Sequence, residues 1–169
     1  MVTMAIDASS KSTGIAIFKD KDLIHYECIT AGSTNPYKRI KKMVQEISNL
    51  YQKYQVTNVI MEDVIPEDVR HNQQVFKILH YLQAAIVLEL DNYNQKIEFF
   101  VSSEWRKRCG IKTGRTGTRE TLKAAAQKLV KDNYGIVAND DICDSICIGW
   151  AYTHDTFESF VTPGGFEFK

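Results

Sequence analysis

Long apolar runs are missing from this chain: nowhere do eighteen consecutive apolar residues occur, and no basic segment precedes the apolar start Val2-Thr3-Met4-Ala5-Ile6. Neither membrane insertion nor secretion is therefore expected, and the chain reads as a cytoplasmic protein. C-x-x-C pairs are also missing. The four cysteines, Cys28, Cys109, Cys143 and Cys147, read in a reducing compartment as small buried hydrophobes rather than a disulfide framework. Cys143, Cys147 and His154 share one helical face, but an incomplete ligand set inside an apolar run reads as core, not as a zinc site. No Pro/Ser/Gly-rich tract occurs, and 44% hydrophobic with 25% charged residues is the balance of a globular chain, which excludes a disordered or fibrous one. Its 169 residues suffice for one substantial core, so a single domain over residues 1–158 with a frayed tail at 159–169 is expected.

A net charge of one sign is the last absence, since 21 Lys and Arg balance 21 Asp and Glu. The balance is uneven along the chain. Between Glu104 and Lys131 nine basic residues face two acids, a local charge of +7 that leaves the remainder at −7. A basic surface beside an acidic site is implied.

The hydrophobic pattern predicts strands over 2–7, 14–18 and 23–29, joined as an antiparallel meander, with Ser9 to Thr13 and Asp20-Lys21-Asp22 as the links. From Pro36 to Tyr54 the residues Ile40, Met43, Val44, Ile47, Leu50, Tyr51 and Tyr54 recur at helical spacing. A strand follows over 56–61, ending at Glu62-Asp63, and then a helix from about Val69 to Asn92. That helix is apolar on two sides. Val75, Leu79, Leu82, Ile86 and Leu90 form one stripe, while Phe76, Ile78, Tyr81, Val87 and Leu88 fall outside it. It is either sandwiched within the domain or packs its outer side on a second subunit. A strand over 97–101, a short helix over 103–109, a basic loop over 110–117, a helix over 118–133 capped by Thr118, and a last helix from Asn139 or Asp140 to Phe157 complete the chain. The order predicts an α/β fold: a mixed five-stranded sheet, three antiparallel strands followed by parallel ones, flanked by helices.

Asp7 and Glu62 each end an apolar strand, where open α/β sheets place their crevices. On neighbouring strands these carboxylates stand side by side. Asp141 and Asp144, spaced i, i+3 in the first turns of the last helix, project from one face. Each acid alone has an ordinary explanation as a loop residue or a helix-dipole partner. Four together repel one another, and divalent cations are the usual remedy. Mg²⁺ takes one or two carboxylates together with water and phosphate oxygens, so four carboxylates suit two ions and the chemistry is phosphodiester hydrolysis. Asp7 is the candidate to bridge both ions. Asp140 reads as a helix-start residue and Asp63 as a loop acid.

The pattern Ile6-Asp7-Ala8-Ser9-Ser10 with Thr13-Gly14-Ile15-Ala16, then Val59-Ile60-Met61-Glu62, then Asp141-Ile142-Cys143-Asp144-Ser145-Ile146-Cys147-Ile148 with His154, resembles the RuvC Holliday junction resolvases of the ribonuclease-H-like superfamily. It is similar to bacteriophage versions, those of lactococcal phages among them, which puts it in the host cytoplasm. The resemblance implies a homodimer that nicks four-way junctions in two opposed strands, with Mg²⁺ or Mn²⁺, two ions per site. It places the family's four metal-binding acids on Asp7, Glu62, Asp141 and Asp144. It places the basic residues near the scissile phosphate between Lys107 and Arg119, with Lys107 as a catalytic candidate, and gives the dimer interface to the second helix. Three positions depart from the family pattern: Ser9 stands for a glycine, Ile65 for an aromatic residue, and the glycines usual near Leu82 to Ala85 are absent. Y-forks and other branched DNA therefore stay open as substrates.

Arg106, Lys107, Arg108, Lys112, Arg115, Arg119 and Lys123, interrupted by Gly110, Gly114 and Gly117, suit a loop that folds onto a phosphate backbone. Trp105 reads as an anchor to the core, and His71 as a weaker phosphate contact. Two other readings share the fold. One is a non-catalytic module that only binds branched nucleic acid; the other is a RuvC-like nuclease of ribosomal RNA processing. An actin-like ATPase would need a second copy of the domain, and the chain has none.

Overall fold

The computed structural model describes residues 1–65, 73–112 and 117–154. Strands β1 (Val2–Asp7), β2 (Ser12–Lys19) and β3 (Asp22–Thr30) are followed by helix α1 (Pro36–Tyr54), β4 (Asn58–Glu62), α2 (Gln73–Asp91), β5 (Ile97–Phe100), α3 (Ser102–Arg108), α4 (Arg119–Tyr134) and α5 (Asp140–Thr153). The strands form one sheet in the order β3-β2-β1-β4-β5. β1–β2 and β2–β3 pair antiparallel, and β1–β4 and β4–β5 pair parallel. The mixed five-stranded architecture expected from the pattern is the one observed.

The period of two along each strand sorts the core into two layers. Met4 and Ile6, Ile15 and Ile17, and Val59 and Met61 pack with α1 and α2 residues such as Met43, Ile47, Leu82 and Ile86. Ala5, Ala16, Phe18 and Ile60 pack on the opposite face with Trp105, Val130, Ile146 and Cys147. The parity continues past the apolar residues. Asp7 shares a face with Ala5, and Glu62 with Ile60, so both acids are turned toward the α3, α4 and α5 layer.

Helix starts follow their caps. Asn35 Oδ1 accepts from the Tyr37 and Lys38 amides ahead of Pro36, Thr118 Oγ1 from the Thr121 amide, and Asn139 Oδ1 from the Ile142 amide, which satisfies first-turn donors that lack a helical partner. Cys109, Cys143 and Cys147 are buried and unbridged, in the layer with α5. No helix among the described residues is long and apolar enough to cross a membrane.

Several boundaries differ from the sequence pattern. β4 begins at Asn58, because Val56 turns into the core from the preceding loop. On α2 the buried set is Leu82, Gln83, Ile86 and Leu90. Val75, expected in the inner stripe, is exposed, and Ile78 packs against the core in its neighbourhood; at about 100° per residue Val75 projects in nearly the same direction as Leu82 and Ile86, but no residue from 73 to 80 is fully buried and burial begins at Leu82. The last helix, expected to reach Phe157, ends at Thr153 with His154 as its C-cap, while the expected first residues of the second helix (69–72), Arg115, His71 and the tail at 159–169 lie outside the described residues.

Candidate active site

The parallel pairing of β1 with β4 sets Ile6 opposite Met61, which brings Asp7 and Glu62 together at adjacent strand ends on the central pair of the sheet. Asp7 also pairs across β2 with Gly14. Here the missing side chain is a requirement: a Cβ on Gly14 would stand 1.8 Å from the Asp141 carbonyl oxygen. The N-terminal turn of α5 thus rests directly on the strand next to Asp7, and delivers Asp141 and Asp144 to the site. Gly149, two turns further on, lets the same helix sit against Phe18 and Ala5.

Electrostatics reports the convergence. Burial, then the charges of Glu62, Asp144 and Asp141, push the Asp7 carboxyl well above the usual carboxylate range, and Arg106 opposes them. Asp144 is pushed from 3.8 to about 6, mainly by burial, with Arg106 and Lys123 pulling it down and Asp140 and Asp141 pushing it up. Half-buried carboxylates that raise one another in this way mark a place built to receive positive charge.

Two of the acids around Asp7, Glu62 and Asp141, are held by protein donors. The indole Nε1–H of Trp105 donates to Glu62 Oε2 at 3.0 Å, and Gln83 Nε2 donates to the Glu62 carbonyl at 3.0 Å. The Ser12 hydroxyl donates to Asp141 Oδ2. Arg39, on α1, steadies the loop after Asp7, its Nε donating to the Ser10 carbonyl and its Nη1 to the Ser33 carbonyl, both at 2.9 Å. Asp140 is turned away to pair with Lys123 and to accept from Gln127 at 2.9 Å, as expected of a helix-start residue. Among the described residues no three His, Cys, Asp or Glu side chains close into a preformed metal-ligand set. An open arrangement still fits a hard divalent cation, since Mg²⁺ keeps several waters and takes few carboxylates directly. The all-oxygen donors and the cost of the crowded charges at Asp7 carry that fit.

Of the basic segment, Arg106 is the residue whose charge reaches both Asp7 and Asp144. Its guanidinium lies 4.5 Å from the centre of the Trp105 ring. Lys107, Lys112 and Arg119 are exposed, Arg108 pairs with Glu104 at 2.8 Å, and Lys123 is occupied by Asp140. Ser12, Arg39, Gln83 and the indole of Trp105 belong to the site through contacts between distant segments; nothing local in the sequence marks them, apart from the place of Trp105 directly before the basic run.

The raised Asp144 carboxyl has a consequence for stability. The folded state holds its proton more tightly than the unfolded chain between pH 3.8 and about 6, so in this window its contribution to stability falls as pH rises, and the penalty is fully present above about 6. Asp144→Asn is expected to raise the thermal midpoint in chelator at pH 7.5 and to have little effect at pH 4. Thermal melts of both chains across that range check the sign.

Taken together, a ribonuclease-H-like sheet with carboxylates at two central strand ends and on the last helix defines a nuclease of that superfamily. The chain belongs to the RuvC family, whose description is crossover junction endodeoxyribonuclease RuvC, and which it matches over residues 3–154. Enzymes of this family are metal-dependent nucleases. The fold matches the Thermus thermophilus RuvC structure at a TM-score of 0.71 and 11% identity, covering 89% of this chain and 92% of that one. It matches T. thermophilus RuvC in complex with Holliday junction substrate at 0.70 and 10% identity, covering 89% and 91%. The yeast mitochondrial Holliday junction resolvase matches at 0.54 and 12% identity, covering 89% and 77%. No curated protein matches at the level of sequence.

Proposed function

We propose that this chain is a single nuclease domain over residues 1–158 that resolves four-way DNA junctions, and accepts other branched DNA, by paired hydrolytic nicks. The observation that carries the reading is the convergence of Glu62, Asp141 and Asp144 on the half-buried Asp7, where the all-oxygen set suits Mg²⁺ or Mn²⁺. These four side chains would hold two divalent ions, which when bound make water a better nucleophile and stabilise the oxygen leaving phosphorus. The protein's own part is orientation and charge. Trp105 and Ser12 fix the rotamers of Glu62 and Asp141, while Arg106 offsets the acids and is placed to meet a phosphate that approaches them. Lys107, Lys112, Arg115 and Arg119 would neutralise the DNA backbone on the way in, and Arg108 and Lys123 would join them by exchanging Glu104 and Asp140 for phosphate, a contribution that salt weakens.

A second copy is part of the proposal, because two opposed strands need two sites. The outer side of α2 supports it: Leu88 is 69% exposed and Tyr81 40%, seven residues apart and so on one helical face, and Tyr37 stacks on Tyr81 at 6.4 Å between ring centres, apolar surface of the kind that interfaces cover. The work would be done in the compartment that holds the DNA, the cytoplasm of a bacterial host.

Labelled four-way junctions, Y-forks, linear duplex and RNA, each incubated with Mg²⁺ and with chelator, test the reading. Symmetric nicks in junctions with Mg²⁺ alone are expected. Junction binding without nicking under every metal condition would make the chain a non-catalytic binding module, and RNA cleavage without DNA cleavage would place it with the RNA-processing nucleases.

A further inference from the structure

We propose that Trp105 is a positioning residue for Glu62, so that the α3 indole determines how tightly the site holds its cations; this rests on the nuclease reading above. Trp105 is fully buried in the layer between the sheet and α5. An indole has one donor and no acceptor, and here that donor is spent on a carboxylate oxygen of the site, at 3.0 Å. A ring packed on all sides cannot follow a moving partner. Glu62 is thus tied at two points, its carboxylate by Trp105 and its carbonyl by Gln83, itself buried. A glutamate has three side-chain torsions to lose on binding a cation, and holding it in one arrangement beforehand removes most of that cost.

Arg106 adds a second reason for the choice of tryptophan. Its guanidinium stacks at 4.5 Å on the indole, which steers the charge toward Asp7 and Asp144. One ring thereby orients an acid through its edge and a base through its face. Phenylalanine would keep the packing and the stacked cation but lose the N–H.

The test compares Mn²⁺ affinity, measured by calorimetry on the full chain, for the wild type, Trp105→Phe, Glu62→Gln and the double variant. Trp105→Phe is expected to weaken Mn²⁺ binding about tenfold or more, to lower kcat on junctions with KM unchanged, and to recover part of its rate at high Mn²⁺. In the double variant the loss should equal that of Glu62→Gln alone, because the indole acts through that carboxylate. Unchanged Mn²⁺ affinity in Trp105→Phe, or losses that add in the double variant, would overturn the proposal. Wild-type affinity and cleavage in Glu62→Gln would instead remove the site assignment, and this proposal with it. Fluorescence gives a readout that does not need Trp105→Phe to fold. The chain has two tryptophans, and Trp150 is stacked on His154 at 4.8 Å, away from the acids, so in Trp150→Phe the emission comes from Trp105. Mn²⁺ should quench it, and adding Glu62→Gln should abolish the quenching; an emission that ignores Mn²⁺ counts against the proposal.

Discussion

Asp7→Asn is expected to cut junction nicking by about a thousandfold or more, equivalent to roughly 4 kcal/mol of lost transition-state stabilisation, while junction binding in chelator stays near the wild-type level. The substitution keeps the shape of the side chain and removes one charge from the middle of the acidic set. That charge is the one the other acids surround: burial, Glu62, Asp144 and Asp141 all disfavour it. In the metal-free protein the same change should therefore stabilise the fold at pH 7.5. The sign follows from the direction of the shift. A carboxyl that holds its proton more tightly when folded makes the ionised fold costly above its folded pKa, and an amide escapes that cost. Loss of activity together with a higher thermal midpoint is the signature of a residue kept for chemistry at the expense of stability. Nicking at the wild-type rate by Asp7→Asn would remove the metal site from these four acids, and an inactive variant that also melts lower would mean that Asp7 serves the fold.

Among the glycines at described close contacts, Gly14→Ala should be the most damaging substitution. Its Cβ would meet the Asp141 carbonyl at 1.8 Å and the Asp141 carbonyl carbon at 2.5 Å, and a main chain inside a helix cannot step aside as a side chain tip can. Either α5 lifts from β2 or the strand bends. Overpacking of this severity costs about 3 kcal/mol or more, and urea unfolding should show it as a lower midpoint with the slope preserved. Activity should fall further than stability, since lifting α5 moves Asp141 and Asp144 away from Asp7 even in molecules that stay folded. Gly149→Ala is the control. Its Cβ would meet the ring of Phe18 at 2.3 Å, and a ring can rotate and shift within the layer, so a cost of about 1–3 kcal/mol with nicking largely retained is expected. If Gly14→Ala and Gly149→Ala lose stability equally, and both keep full activity, the close approach at Gly14 does not govern the site.

How far the chain could be read without its structure depends on the range of the interactions involved. α1 was legible to the residue, because Pro36 at its start and seven apolar positions at helical spacing are local signals. β1 and the N-cap of α4 at Thr118 were legible for the same reason. Asp7 and Glu62 could be placed at strand ends from the apolar runs that precede them, and their meeting followed once β1 and β4 were neighbours. The inner face of α2 was read less well: Val75 is exposed and Gln83 is buried, since a polar residue is admitted to a core only where a partner awaits it, and that partner, the Glu62 carbonyl, lies 21 residues away in the chain. Among the basic residues, Lys107 and Arg119 stood out by position, yet Arg106 is the one whose charge reaches both Asp7 and Asp144. Three consecutive basic residues on a short helix point in three directions, and only the packing of Trp105 decides which of them faces inward.

The sequence by itself determined the mixed sheet and its helices, the four acids and the basic segment, because periodicities of 2 and 3.6 and the ends of apolar runs are properties of short stretches of chain. Tertiary structure alone decided how closely those acids meet and what holds them. The approach of α5 over Gly14, the indole on Glu62, the Ser12 hydroxyl on Asp141 and the clasp of Arg39 all join segments far apart in sequence, and such contacts exist only when the backbone has brought its layers to within an ångström of their final places.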